Sequence, residues 1–399
     1  MEVLRVTSKF LRILTAILTV SLLLGATAVA APMTYNALTM PAAYTTGAYG
    51  VNEVPEGKSP TTGLDWEGEY RPVVVQISNS AQARPHWNMS EADIVYESLL
   101  WGPGHTRYTA IYNDNHPDFV GAVRSARLHH CQIRQEWDAP FVFWGGQDTA
   151  GTSIYDYFKD NGVNSKFLFN GIKGDYGVLA RSSERVSPHN AWVNLKKLVE
   201  EKWPTNDDGT PYKPASHAFK FSETDYEKGY ESAVKMAFSY ADDYEPSYVY
   251  NLETGSYDRY YNGEKMIDGY SNKPIVADNV IVQYCETYYY NGIASRPVVE
   301  LTGSGVCDVY IGGNHIRGSR KAAGDRTIYM DLNGEEITLK PGKTFIQLIA
   351  SSDVYTITDA NGKETEIDIG YEVKAVDYGD IDASELDNMA SSEDSGSKK

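Results

Sequence analysis

Cysteine is almost missing from this chain. Only Cys131, Cys285 and Cys307 occur in 399 residues, too few for a disulfide-stapled scaffold and with no pair at metal-ligand spacing. Basic charge is also short: 36 Lys and Arg stand against 54 Asp and Glu, a formal net charge of -18. A phosphate backbone needs a basic face, so nucleic acid is not an expected partner, and simple adhesion to anionic lipid is disfavoured equally. The chain lacks a Gly-x-Ser-x-Gly elbow, a His-Glu-x-x-His helix and a phosphate-cradling Gly-rich loop. No cofactor and no metal site are therefore expected.

Long apolar runs are confined to the N-terminus, and that run reads as an export signal. Arg5, Lys9 and Arg12 precede the uncharged stretch from Ile13 to Leu24, and Gly25, Ala28 and Ala30 supply small residues for cleavage after Ala30 or Ala31. The alternative is an uncleaved anchor, because Ile13 to Ala31 approaches the length that spans a bilayer. Either way we expect a secreted or envelope-associated protein that meets membrane only through this segment. No cysteine lies near it to carry a lipid.

After the signal (1–31), residues 32–65 are rich in Thr, Ala, Gly and Pro without apolar periodicity and read as a linker. Residues 66–243 mix strand and helix patterns, 244–371 alternate strands with Asn-Gly, Thr-Gly and Gly-Gly turns, and 372–399 form an acidic, Ser-rich tail expected to be disordered. The expected fold is α+β: a mixed α/β N-terminal domain followed by a smaller, antiparallel β-rich domain. Cys285 and Cys307 lie on strand-like runs of that second domain and could form one bridge in an oxidising compartment. Cys131 reads as a buried thiol on a helix. Tyrosine is abundant, at 30 residues, and suits exposed sheets with or without a sugar-stacking surface.

The polar density between Arg71 and Gln147 is the main pointer to function. Asn79, Arg84, Asp93, Glu97, Arg107, Arg124, Arg127 and His129 sit among short strands and glycine turns. Charges taken from water cost several kcal/mol unless paired or put to use. Strands are expected over Arg71 to Ser78, Ile94 to Trp101 and Thr106 to Tyr112, the last two forming a hairpin around Gly102-Pro103-Gly104. With a five-residue loop, Glu97 faces Thr109 and becomes a diagonal neighbour of Arg107 on the same face, within reach of an ion pair. A slip of one residue would part them.

Two helix starts attract attention, because a helix N-terminus offers unpaired N–H groups and partial positive charge to an anion. Ser125 is expected to cap the first, between Arg124 and Arg127, and Asn190-Ala191 opens the second, just after His189. Arg127, His130 and Arg134 then share a helical face. Arginine can hold an oxyanion through two parallel hydrogen bonds. The competing reading has the same arginines pairing internally with Asp93 and Glu97 to lock sheet to helix.

The blocks Arg71-Pro72-Val73, Asn79, Ala83-Arg84-Pro85, Ser90 to Glu97, Thr106-Arg107, Val123 to Arg127, Gly145-Gly146 and Ser187-Pro188-His189-Asn190 resemble the YerB-like lipoprotein family of Gram-positive bacterial envelopes. A weaker resemblance continues through Tyr257-Asp258-Arg259, Asp278 to Val282 and Leu339 to Ile346. It implies an α+β domain followed by a β-rich one outside the cytoplasmic membrane, and it implies no reaction. Ala122 stands where the family's pattern leads one to expect proline.

Three functional readings follow. The first is an exported protein binding an anionic cell-wall or peptide-derived ligand through Asn79, Arg84, Asp93, Glu97, Arg107, Arg124, Ser125, Arg127, His189 and Asn190. The second is an envelope hydrolase with Asp93 or Glu97 as base and His189 as acid. The third is a structural interaction module whose polar network only fixes packing.

Overall fold

A computed structural model describes residues 52–369, apart from 102–103, 216–218, 227–230, 241–243, 294 and 324–325. The expected signal segment and acidic tail lie outside the described residues, as does most of the hairpin turn at Gly102-Pro103. Within β1 (Val73–Ser78) every residue is buried, as the unbroken β-branched run requires of a strand covered on both faces. β2 (Ile94–Trp101) and β3 (His105–Tyr112) form the expected hairpin. α1 (Leu128–Glu136), β4 (Phe141–Phe143), α2 (Ile154–Asp160), β5 (Leu168–Asn170), β6 (Ala191–Val193) and α3 (Leu195–Glu201) follow. The second half contributes β7 (Lys235–Ala237), β8 (Pro246–Asn251), β9 (Ser256–Tyr261), β10 (Asn279–Cys285), β11 (Ser304–Ile311), β12 (Asn314–Ala323), β13 (Arg326–Met330), β14 (Thr344–Ala350), β15 (Tyr355–Thr358) and β16 (Glu364–Ile367). Strand dominates over helix, so the α+β expectation holds in a sheet-rich form.

One large sheet carries the fold, in the order β13-β12-β11-β10-β14-β2-β3-β1-β4-β5. Strands from both halves of the sequence meet where β14 pairs parallel with β2. The boundary expected near residue 243 thus separates two stretches of chain but not two cores. The second half is not purely antiparallel either, since β10 and β14 pair parallel along their length. One face of this sheet packs on α1 and α2: Val74, Ile94, Phe141 and Ile346 share a core with Ile133, Trp137, Ile154 and Phe158. The other face meets a second sheet built on β9-β8-β7-β15-β16. There Tyr248 of β8 packs on Phe345 of β14, ring centroids 5.9 Å apart, and donates to Gln347 at 3.0 Å.

Several local expectations change. Residues from Asn52 onward are part of the body rather than linker: the hydroxyls of Ser59, Thr61 and Thr62 are buried against Asp114. Chain packed and hydrogen-bonded in this way cannot act as a free spacer. Cys285 and Cys307 are free, buried thiols, and Cys307 lies opposite Gln283 rather than Cys285. Ser125 does not cap α1. Arg127 occupies the N-cap, and its N–H donates to His130 Nδ1 at 2.9 Å. No helix begins at Asn190, because Ala191–Val193 is the strand β6; α3 starts after Asn194, whose side chain accepts from Lys197 N.

Candidate functional site

β1, β2, β4, β5, β10 and β14 run in one direction. Their carboxyl ends therefore line one edge of the sheet, the place where open α/β sheets put ligand crevices. The segment from Arg124 to Gln147 is stitched into that edge by backbone bonds. Arg124 N donates to Gln76 O of β1 at 2.9 Å, and Trp144 N beyond β4 donates to Arg124 O at 2.9 Å. Ala126 N reaches Gly145 O at 3.0 Å, and Gln147 N reaches Ala126 O at 3.2 Å. Gly146 permits the close approach: a Cβ there would sit 2.1 Å from Ile154 Cδ1 and 3.1 Å from Ala126 O.

The hairpin register decides which residues reach this place. Glu97 lies opposite Tyr108 and Arg107 opposite Ser98, one residue off the expected pairing, with an irregularity between Leu99 and Trp101. The two charges therefore point to opposite faces, and no Glu97–Arg107 pair forms. Arg107, on the helix side, donates through Nη1 to Ser125 O and to Ser125 Oγ. Its neighbours across the sheet are Ser78 on β1 and Ser98 on β2.

From this row hydroxyls and imidazoles extend both ways. Ser78 Oγ lies 3.0 Å from Ser80 Oγ, which lies 2.8 Å from His189 Nδ1. On the other side Ser98 Oγ contacts His130 Nε2 at 3.0 Å and His129 Nε2 at 3.1 Å. His130 Nδ1 accepts from Arg127 N, so its proton sits on Nε2 and is donated to Ser98 Oγ. Burial, with the charges of Arg127 and Arg107, pushes His129 down to about 3, and burial likewise depresses His130. Both rings are neutral at neutral pH, so the positive charge here belongs to arginine. Asn190 is buried, its Oδ1 accepting from Arg181 at 2.8 Å while Arg181 covers the Trp144 ring.

Other expected site residues lie elsewhere. Glu97 is fully buried on the opposite face, where it accepts from Thr106 Oγ1 at 2.5 Å, from Asn79 Nδ2 at 3.1 Å and from Arg259. Arg259, equally buried, sits 4.4 Å over the Tyr248 ring and fastens the second sheet to the first. Arg84 stacks on Tyr261 of that second sheet at 3.9 Å. Asp93 stands at the other end of β2, four residues and about 13 Å from Glu97 at strand spacing. There it accepts from Asn113 N, Asp114 N and Thr61 Oγ1. Burial, then the neighbouring Asp114, pushes its carboxyl up to about 7. No single cleft gathers all ten residues, and the hydrolase arrangement loses its geometry, since Asp93, Glu97 and His189 share no reactive position.

Sequence reasoning missed Arg259, Ser78, Ser80 and Ser98. Arg259 left one signal, a lone arginine in the tyrosine-rich strand Ser256–Tyr261; the serines left none. Among the described residues, no three His, Cys, Asp or Glu side chains gather as metal ligands would.

A large sheet shared by two halves, with a polar edge, is the architecture against which the comparisons with known proteins stand. Family models described as the N-terminal and C-terminal domains of a protein of unknown function, DUF3048, match residues 61–207 and 234–346. Together they cover well over half the chain, which belongs to this family. The chain is similar to the protein described as "Putative lipoprotein YerB" of Bacillus subtilis strain 168, with 28% identity over 319 residues, 76% of this chain and 90% of YerB. It also matches the crystal structure of YerB from Bacillus subtilis, at a TM-score of 0.62 and 25% identity over 73% of this chain and 96% of that one. The resemblance read from the sequence blocks is therefore correct.

Proposed function

We propose that this is an exported protein of the bacterial envelope that binds an anionic group at the carboxyl ends of β1, β2 and β4. The carrying observation is the threading of Arg124 to Arg127 between the ends of β1 and β4, with Arg107 fixed against Ser125 beside it. Guanidinium and hydroxyl donors held on a rigid sheet edge suit a carboxylate or phosphate of a cell-wall or peptide fragment. His189, half-buried, borders this place through Ser80. The YerB relative's description as a lipoprotein supports an envelope location, and the apolar N-terminal run of this chain is in keeping with it. No helix among the described residues is long and apolar enough to cross a membrane.

The experiment is a calorimetric titration of the purified chain with a disaccharide-peptide cell-wall fragment and with inorganic phosphate. Arg124→Ala is expected to weaken binding about tenfold or more, the loss of one charge-assisted contact. Arg84→Ala, on the far side of the sheet, is expected to leave affinity unchanged. Equal affinity of wild type and Arg124→Ala would remove the proposal.

A further inference from the structure

Farther along the same sheet edge, β10 and β14 end side by side at Cys285 and Ala350. Just beyond them lies a cavity of about 440 Å³, lined by Glu286, Tyr288, Glu300, Ser304, Arg320 and Ser351 among others. That volume falls in the range of roughly 300–1,000 Å³ typical of small-molecule sites. A small hairpin builds its wall. Thr287–Tyr289 pairs with Pro297–Val299, and Glu300 N donates to Glu286 O at 2.9 Å, so the two glutamates flank the same strand pair. The Tyr288 hydroxyl reaches Glu300 Oε1 at 3.4 Å, while Glu286 is exposed and Glu300 half-buried.

The charge balance of this cavity is negative. Among the described residues neither Glu286 nor Glu300 has an ion-pair partner. Arg320 lies in the floor and offsets one of the two carboxylate charges, but its donors are taken by the carbonyls of Leu301 at 3.0 Å, Glu300 at 3.3 Å and Tyr284 at 3.3 Å. Partial burial first, and then Glu300 and Glu286, raise the Tyr288 phenol above its ordinary value. The whole chain adds to the negative balance with its net charge of -18.

We propose that this cavity is a second binding site, which takes an ammonium group between Glu286 and Glu300 with the Tyr288 ring beside its alkyl chain. Either an amine-bearing small molecule or a lysine side chain carries that chemistry. The site is independent of the arginine-lined edge and stands or falls without it.

Calorimetric titration of the full chain with 1,5-diaminopentane, Nα-acetyl-lysine amide and uncharged 1-pentanol tests this. Both amines are expected to bind at least about tenfold better than 1-pentanol, and raising salt from 0.05 to 0.5 M is expected to weaken them severalfold. Preference for diaminopentane identifies a free amine as the natural ligand, and preference for the lysine derivative a protein side chain. Glu286→Gln and Glu300→Gln are each expected to weaken binding about fivefold, with Glu253→Gln as the distant control. Equal binding of 1-pentanol, no measurable binding, or affinity unchanged by both glutamine variants and by salt would overturn the proposal. The salt arm uses wild type alone, so a variant that fails to fold does not shelter it.

Discussion

Removing either member of the Glu97–Arg259 pair should destabilise the protein far more than removing both. Each side chain is fully buried. Arg259→Met leaves Glu97 as a buried carboxylate holding only Thr106 and Asn79, and orphaning a buried charge costs about 3–5 kcal/mol. Glu97→Gln leaves the guanidinium with the Tyr108 hydroxyl at 3.5 Å and the Tyr248 ring at 4.4 Å. A desolvated cation–ring contact is worth about 2 kcal/mol, so this variant should lose about 3 kcal/mol, at the low end of the range. In the double variant no charge is left alone. Arg259 Nε and Nη1 already lack hydrogen-bond partners, so removing the guanidinium also relieves their desolvation. Glutamine at 97 can still accept from Thr106 and Asn79. The double variant should therefore lose only about 1–2 kcal/mol, which makes the coupling about 4 kcal/mol or more. Urea unfolding of the four proteins at one pH gives these free energies from midpoint and slope. Losses that add to within about 0.5 kcal/mol would refute the view that this pair fastens the two sheets.

The carboxyl of Asp93 gives a pH signature. Its folded pKa of about 7 lies above the unfolded value near 3.8, so its contribution is fully present below about pH 4 and is lost as pH rises through 7. The span corresponds to about 4 kcal/mol. Asp93→Asn should flatten the urea midpoint between pH 4 and 8, and an unchanged slope there would count against the assignment. The three buried thiols, each raised by burial, should ignore a thiol reagent until denaturant is added, when three react; reductant should leave the unfolding midpoint where it was. Asp114→Ala deprives Ser59 and Thr62 of their acceptor. It should cost about 1–3 kcal/mol and speed proteolysis between residues 52 and 65, and an unaltered cleavage rate would show that the anchorage lies elsewhere.

Strand positions were readable because β-branched runs such as Val73-Val74-Val75 have no competing helical period. The pairing of β2 with β3 was not, because an irregularity near Leu100 shifts the partners of Ile94 to Leu99 by one residue and nothing in Leu99-Leu100-Trp101 announces it. Helix starts misled for a related reason. Ser125 and Asn190 are good caps by residue type, but Ser125 is held by Arg107 and Asn190 by Arg181 and the Ser182 carbonyl. Tertiary partners used the groups that capping would have needed, and the caps fell to Arg127 and Asn194. The arginine edge was half legible, since Arg124, Ser125 and Arg127 are neighbours in sequence. Arg259, 162 positions from Glu97, could not be placed by any local pattern.

The crowding of charge between Arg71 and Gln147 then has two causes that the sheet sorts by face. A strand covered on both sides must satisfy every polar atom internally. On β2 the alternation is strict: Glu97 turns to the second sheet and binds Arg259, while Ser98 turns to α1 and binds His129 and His130. Adjacent residues thus fasten opposite layers, and the same stiffness reaches Arg107, which lies opposite Ser98 and beside Ser125. A guanidinium fixed in this way loses little freedom when an anion arrives, so its binding energy is not spent on ordering the side chain. If that is the purpose of the fastening, Ser98→Ala should lower affinity at the arginine edge without touching the ligand. Its loss in unfolding free energy should stay near the roughly 1 kcal/mol of a neutral hydrogen bond. Calorimetry and urea unfolding on the one variant separate these effects, and a variant that loses stability but keeps full affinity would show that the network serves packing alone.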